Sequence, residues 1–331
     1  METSFQAKCN LFAENRNLVT KGFLLENSLV KIASALIYTE ADKEADNEYL
    51  QECRKLLRKN EGALSDFRGI SEMLVSAKLA QQVDPERFMA DISSAYKMFH
   101  EGRIFGSRYM ALAAISICDA GKINQAKEIV EKANEILKGM KKEHPFLTSD
   151  EDTCFAVLLA MTDKSTEEIL NEVEENFQIL KKDFKFHDNA VYSLAQILAM
   201  KEGSNEQKCQ RALEIYKAFE NVKAKYGKGY ELASIGTLID IDRDANEMAK
   251  EIAEASAYLK SKKGFGMLDL DDRTRLMFSA ILYGNTFAGS DTVSSSTALE
   301  STIAMVIAQE ITYMIIMVTI CSGSVAAASS N

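Results

Sequence analysis

The densest run of side chains able to do chemistry is Asp240-Ile241-Asp242-Arg243-Asp244, followed by Glu251. Counted from Asp240, these carboxylates fall at the first, third, fifth and twelfth positions, where an EF-hand loop holds calcium. The sixth position needs glycine for its sharp turn, and here it is Ala245. A polar turn into a helix explains the same acids, because carboxylates at a helix N-terminus are favoured by its dipole. The sequence therefore predicts no metal, with Asp240, Asp242, Asp244 and Glu251 as the one calcium candidate set.

Three histidines, His100, His144 and His187, recur at similar intervals. Zinc would need their nitrogens within about 2.1 Å of one ion. Helices packed about 8–10 Å apart keep equivalent positions of successive hairpins too far apart for that. Gly264-Phe265-Gly266 has no third glycine at nucleotide spacing and follows no strand-like run, so it is not a dinucleotide fingerprint. The six cysteines are scattered and form no Cys-x-x-Cys pair, a pattern expected of reduced thiols. No hydrolase, metalloprotease or P-loop signature occurs, so the sequence assigns no catalytic residue and no cofactor.

A second regularity joins a basic residue to a nearby aromatic at five places: Arg103 with Phe105, Lys142 with Phe146, Lys185 with Phe186, Lys228 with Tyr230, and Lys263 with Phe265. Such an edge could bind an acidic peptide or another anion. Capping explains it more simply. Cations complement helix C-termini, and the aromatic then plugs the start of the next hairpin.

These residues sit between elements that read as helices. Only Pro85 and Pro145 interrupt 331 residues, which favours helix. Leu112-Ala113, Phe155-Ala156, Leu194-Ala195, Leu232-Ala233 and Phe278-Ser279 each pair a large apolar residue with a small one, at intervals of about 40 residues. An aliphatic residue follows three positions after each large one: Ile115, Leu158, Ile197, Ile235 and Ile281. Each of the first four leads through a polar turn into a more charged, amphipathic helix. A helix that is apolar on most faces must be covered on several sides, and stacked hairpins do that where one hairpin cannot. The expected fold is all-α: stacked antiparallel helical hairpins forming an α-solenoid-like array. Its expected parts are an N-terminal helical segment (1–62), the hairpins (63–284), a Gly/Ser/Thr-rich connector (285–299), and an apolar helix with an Ala/Ser tail (300–331).

Within the first segment, Asp46 is the expected N-cap of a helix carrying Leu50, Cys53, Leu56 and Leu57. Leu25, Leu29, Ile32, Ala33 and Leu36 share one face of the helix before it. The stretch 302–321 is long enough to span a bilayer. Its Ile and Val residues favour insertion by roughly 2.4–4.8 kcal/mol, against about 2.5–3.5 kcal/mol for Glu310 near its middle. No Lys or Arg follows Arg275 and the chain has no Trp, so nothing anchors a span, and burial within the protein is expected.

The run Gly106-Ser107-Arg108-Tyr109-Met110-Ala111-Leu112-Ala113 resembles a family of uncharacterised bacterial proteins known only as a domain of unknown function, as does the ending Ser301-Thr302-Ile303-Ala304-Met305-Val306-Ile307-Ala308-Gln309. The resemblance implies a bacterial cytoplasmic protein of this size and brings no activity or ligand. A net charge of −10 repels phosphate backbones, so no nucleic acid is expected. The composition, 47% hydrophobic and 27% charged, is that of an ordinary globular protein. The function expected from architecture is a non-enzymatic scaffold that binds a protein or peptide on a concave face. An enzyme or small-molecule binder with a pocket between helices is the alternative, and a membrane-associated protein held by 302–321 a further one.

Overall fold

The computed structural model describes residues 1–101 and 106–287. Arg103, Phe105, the connector from 288 onward, the 302–321 stretch and the Ala/Ser tail lie outside the described residues. Within them, all regular structure is helical. The α-helices are α1 (Thr3–Thr20), α2 (Ser28–Glu40), α3 (Asn47–Asn60), α4 (Glu72–Leu79), α5 (Pro85–His100), α6 (Arg108–Asp119), α7 (Ala126–Glu143), α8 (Thr153–Ala160), α9 (Thr166–Leu180), α10 (Asp188–Ala199), α11 (Asn205–Asn221), α12 (Ala245–Lys260) and α13 (Asp272–Phe287). A 3-10 segment, Tyr230–Thr237, stands between α11 and α12 where the sequence predicts the first helix of a hairpin.

Local chemistry sets the starts. Asp46 accepts from the N–H groups of Glu48 and Tyr49 at the head of α3. Ser165 with Glu168 and Ser204 with Gln207 form capping boxes on α9 and α11, satisfying donors the helix cannot use. Asp84 caps α5, with Pro85 in its first turn, where the missing N–H costs nothing. The helix expected to carry Leu25 starts later than its apolar spacing suggests. Asn27 caps α2 through the Leu29 N–H, which leaves Leu25 in the connector and fully exposed.

The elements alternate between two layers. The inner layer is α2, α4, α6, α8, α10, the 230–237 segment and α13. The outer layer is α1, α3, α5, α7, α9, α11 and α12. Every residue of α4 and of α8 is buried, as is every residue of α13 from Thr274 to Gly284. The outer helices bury one stripe each, such as Ile129, Val130, Ala133, Ile136 and Met140 on α7. Leu112, Phe155, Leu194, Leu232 and Phe278 are all buried, one on each successive inner element, and so are their aliphatic partners. Small residues permit the close approach. A Cβ on Gly236 would meet Ile197 Cγ2 at 2.4 Å, and one on Gly284 would meet the Thr237 carbonyl at 3.1 Å.

The expected solenoid has two free ends, but in the structure the layers close. α1 packs on α12 and α13, and α13 reaches α2. Phe12 meets Phe265 edge-on at a centroid distance of 5.0 Å, and Arg16 Nη2 donates to Asp269 at 3.3 Å. On the other side of the ring, Arg243 Nη1 donates to Glu2 at 2.7 Å and Asn285 donates to Glu40. The helices of 1–62 therefore belong to the same two layers as the hairpins after them. The connector expected from 285 begins later, since Asn285–Phe287 end α13. No helix among the described residues is long and apolar enough to cross a membrane.

Because neighbours are antiparallel, the ring has two edges. Inner elements begin at the upper edge, where Arg54 of α3 lies over the Phe23 ring at 4.6 Å and contacts Glu72 at the start of α4. They end at the lower edge, where Lys78 pairs with Asp119 at 2.5 Å and Lys201 with Asp240 at 2.8 Å.

Candidate functional site

The calcium candidates stand at the lower edge and each has its own task. Asp240 pairs with Lys201. Asp244 caps α12 by accepting from the Asn246 and Glu247 N–H groups at 2.9 and 3.0 Å. Glu251 lies further along that helix, accepts from the Glu2 N–H at 3.2 Å and sits 3.8 Å from Arg243. Asp242 faces solvent, and Ala245 is buried as the first residue of α12. Among the described residues, no group of three or more His, Cys, Asp or Glu is placed to hold a metal ion.

The histidines do not meet. His144 Nε2 shares a 2.6 Å hydrogen bond with Glu174, and its ring packs edge-on against Phe177 and Tyr192. Burial pushes the Glu174 carboxyl up, but hydrogen bonds from His144 and Gln178 outweigh it, so the group is held below its ordinary value. His100 lies near Tyr96, and His187 lines a cavity described below. The five described cysteines are free, and burial pushes the thiols of Cys9, Cys118 and Cys209 up to about 12, far from a reactive thiolate.

The four described basic–aromatic pairs fall on the upper edge, and an aromatic plug fits Phe265, which packs on Phe12, but not Phe146 or Phe186. Phe146 is 96% exposed and Phe186 is 98% exposed, whereas Phe265 is fully buried and Tyr230 partly so. The side chains that plug the neighbouring junctions are Phe184 and Tyr226, two and four residues earlier. Phe184 packs edge-on against Tyr216 at 4.9 Å, and the Tyr226 ring lies tilted on Phe219 at 4.5 Å. Once Phe184 fills the junction, Phe186 has no apolar place to go. Its backbone is left-handed, with φ of 67°, which favours glycine or asparagine. Lys142, Lys185, Lys228 and Lys263 are exposed beside these rings.

The exposed large apolar side chains complete the pattern. They are Leu24, Leu25, Leu64, Val83, Phe146, Phe186, Met267 and Leu268. All but Val83 lie in connectors of the upper edge. Sequence reading missed the leucines and Met267 because they stand between helices, where no periodicity draws attention. The usable signal was an apolar residue inside a turn. Among the described residues, the exposed large apolar side chains gather in the connectors of the ring's edges rather than on its helices.

Two features give this edge charge. At one point Arg54, Arg58 and Arg68 converge on the buried carboxylate of Glu72. Burial pushes that carboxyl up, and the three guanidiniums outweigh it and hold it below the ordinary range. At another, a cavity of about 580 Å³ is lined by His187, Tyr216, Lys223, Lys225, Lys228 and Arg273, with Glu220 and Tyr226. It adjoins one of about 790 Å³ that shares Lys223, Lys225 and Arg273.

Residues 16–312 match the family described as "Protein of unknown function (DUF4003)", and the chain belongs to that family. No solved structure matches the chain.

Proposed function

We propose that this protein is a non-enzymatic helical scaffold that docks a protein partner along the upper edge of the ring. The observation that carries the reading is the segregation of exposed large apolar side chains among the described residues: Leu24, Leu25, Leu64, Phe146, Phe186, Met267 and Leu268 on one edge, Val83 alone on the other. Scattered surface leucines need no explanation, but a one-sided set rimmed by lysines resembles an interaction surface. Phe186 adds weight, because neither its backbone geometry nor its exposure helps the fold, and backbone strain tends to persist where function requires it.

Affinity capture from the native cells tests this. The bait is the full chain, compared with a Leu64→Ser/Phe146→Ser/Leu268→Ser variant and with Val83→Ser. The expected result is a protein retained in near-stoichiometric amount by the wild type and by Val83→Ser, and lost with the triple variant. A wild type that purifies alone, or equal capture by all three baits, overturns the reading.

A further inference from the structure

The adjoining cavities at the junction of α9–α10, α11 with the 230–237 segment, and α12–α13 are rich in cations, in a chain that is acidic as a whole. Lys223, Lys225, Lys228 and Arg273 line the smaller one, and Lys223, Lys225, Arg273, Lys260 and Arg275 the larger. The acids that face them are Glu220 in the first and Glu231, Asp271 and Asp272 in the second. Two of those acids are already engaged. Asp272 pairs with Lys260 at 3.0 Å and with Arg275. Asp271 accepts from the N–H groups of Arg273 and Thr274 and from the Thr274 hydroxyl. Arg275 also donates to the Phe265 and Leu270 carbonyls, so it is held in the wall and does not reach outward. Lys223, Lys225, Lys228 and Arg273 form no ion pair with a described residue. They are left around one opening in a protein whose net charge is −10.

The walls between these cations are aromatic. Lys228 Nζ stands 5.6 Å from the Tyr216 ring centroid, and Tyr226 lines the cavity with its hydroxyl 2.5 Å from Ser234 Oγ. Lys223 also has a left-handed backbone, with φ of 59°. It turns the chain out of α11, so Lys223 and Lys225 both line the trough.

We infer that this trough binds an acidic segment of the protein partner, one that carries carboxylates for Lys223, Lys225, Lys228 and Arg273 and an aromatic or aliphatic side chain for Tyr216. The inference rests on the partner-docking reading above and gives it a chemistry. Charge complementarity selects the occupant. Lysine ammoniums and a guanidinium spaced along a concave wall suit carboxylates spaced along an extended chain. The two cavities together exceed what a single small anion fills. A nucleic acid or an anionic bilayer presents a long or flat field of negative charge that the net −10 opposes beyond the trough itself, whereas a short acidic segment meets only the local cations.

The test uses the full chain and a fluorescein-labelled octapeptide, Glu-Glu-Phe-Glu-Glu-Phe-Glu-Glu, read by fluorescence anisotropy. The same peptide with Gln in place of Glu, a labelled octathymidylate, and vesicles of phosphatidylserine and phosphatidylcholine are run beside it. Two variants remove equal charge: Lys223→Gln/Lys225→Gln/Arg273→Gln in the trough and Lys55→Gln/Lys97→Gln/Lys127→Gln on exposed positions of outer helices. The expected result is binding of the acidic peptide at least tenfold tighter than of the Gln peptide. It weakens as salt rises, falls at least tenfold in the trough variant and is retained in the other. Equal affinity for the two peptides, equal loss in both variants, or tighter binding of the oligonucleotide or vesicles with the same trough dependence overturns the inference. The outcomes separate cleanly. If the peptide fails while capture still depends on Leu64, Phe146 and Leu268, the trough assignment falls and the docking edge stands. If capture does not depend on those residues, the docking edge falls whatever the peptide does.

Discussion

Phe5 of α1 meets Tyr283 of α13 edge to face, with ring centroids 5.0 Å apart and planes at 88°, which joins the two ends of the described chain inside one core. Both rings are buried, and Phe287 packs on each of them. A closed ring has no end from which to fray, unlike a linear array whose terminal repeats can open alone.

The first expectation follows from that contact. Phe5→Ala deletes a fully buried ring and should cost about 3–5 kcal/mol. The loss should appear as a lower midpoint of one cooperative unfolding transition, because α1 is held by α2, α12 and α13 together. Differential scanning calorimetry reads this directly. A separate low-temperature transition confined to the N-terminal helices, with the main transition unmoved, would show that the ring does not unfold as a unit.

Glu72 is the keystone of the arginine cluster. Glu72→Gln leaves Arg54, Arg58 and Arg68 facing one another with only Glu26, 3.4 Å from Arg54, as a nearby counter-charge. Removing one partner of a buried pair costs about 3–5 kcal/mol, and the half-exposed Arg58 places this case toward the lower end. The Glu72 carboxyl is held below its ordinary value. Its stabilisation is therefore present above the unfolded-state value of 4.5 and is lost as pH falls through the lower folded value. Urea denaturation from pH 7 to pH 3 should show the wild type losing its advantage over Glu72→Gln as acid is added. An advantage that stays constant across that range contradicts the assignment.

Glu40 works in the opposite direction. Its stem reaches the surface, but its Oε2 is enclosed without a hydrogen-bond partner. Burial pushes the carboxyl up to about 8, with Lys78 drawing it partly back. Below pH 4.5 the group is neutral in both folded and unfolded chains and costs nothing. Between 4.5 and about 8 the unfolded chain ionises first, so stability falls as pH rises, by up to about 1.4 kcal/mol per pH unit. Glu40→Gln keeps the bond from Asn285 in reach and removes that loss. Its denaturation midpoint should overtake that of the wild type as pH rises from 5 to 8. Parallel pH profiles for the two proteins would be the contrary result.

Phe186 should prove dispensable to the fold. Phe186→Asn removes an exposed ring and places in the left-handed region a residue that tolerates it. Thermal stability should be unchanged or raised by about 0.5–1 kcal/mol. The same change at Phe184, two residues earlier and buried against Tyr216, should destabilise by several kcal/mol. Similar losses at both positions would mean that Phe186 is part of the core.

The amino-acid sequence by itself determined most of the helices and the apolar faces they bury, though not the 3-10 form of Tyr230–Thr237 or the late start of α2. Apolar spacing marks Leu112, Phe155, Leu194, Leu232 and Phe278, and each is buried on an inner element. Asp46, Ser165 and Ser204 start helices through bonds to atoms within three residues, so their role is legible locally. Tertiary structure alone decided that the stack closes, because Phe12 on Phe265 and Arg16 on Asp269 join residues whose proximity no local pattern encodes. It also decided which aromatic at each junction is a plug. Phe184 and Phe186 are the same residue type two positions apart, and only the space beside Tyr216 determines that one is enclosed and the other stands in solvent. Three cations of the trough, Lys223, Lys225 and Lys228, come from the one connector after α11, and only the packing of α13 beside it brings Arg273 to the same opening. Periodicity reports how a helix meets its neighbours, whereas a surface assembled from loops depends on where each hairpin sits relative to the rest.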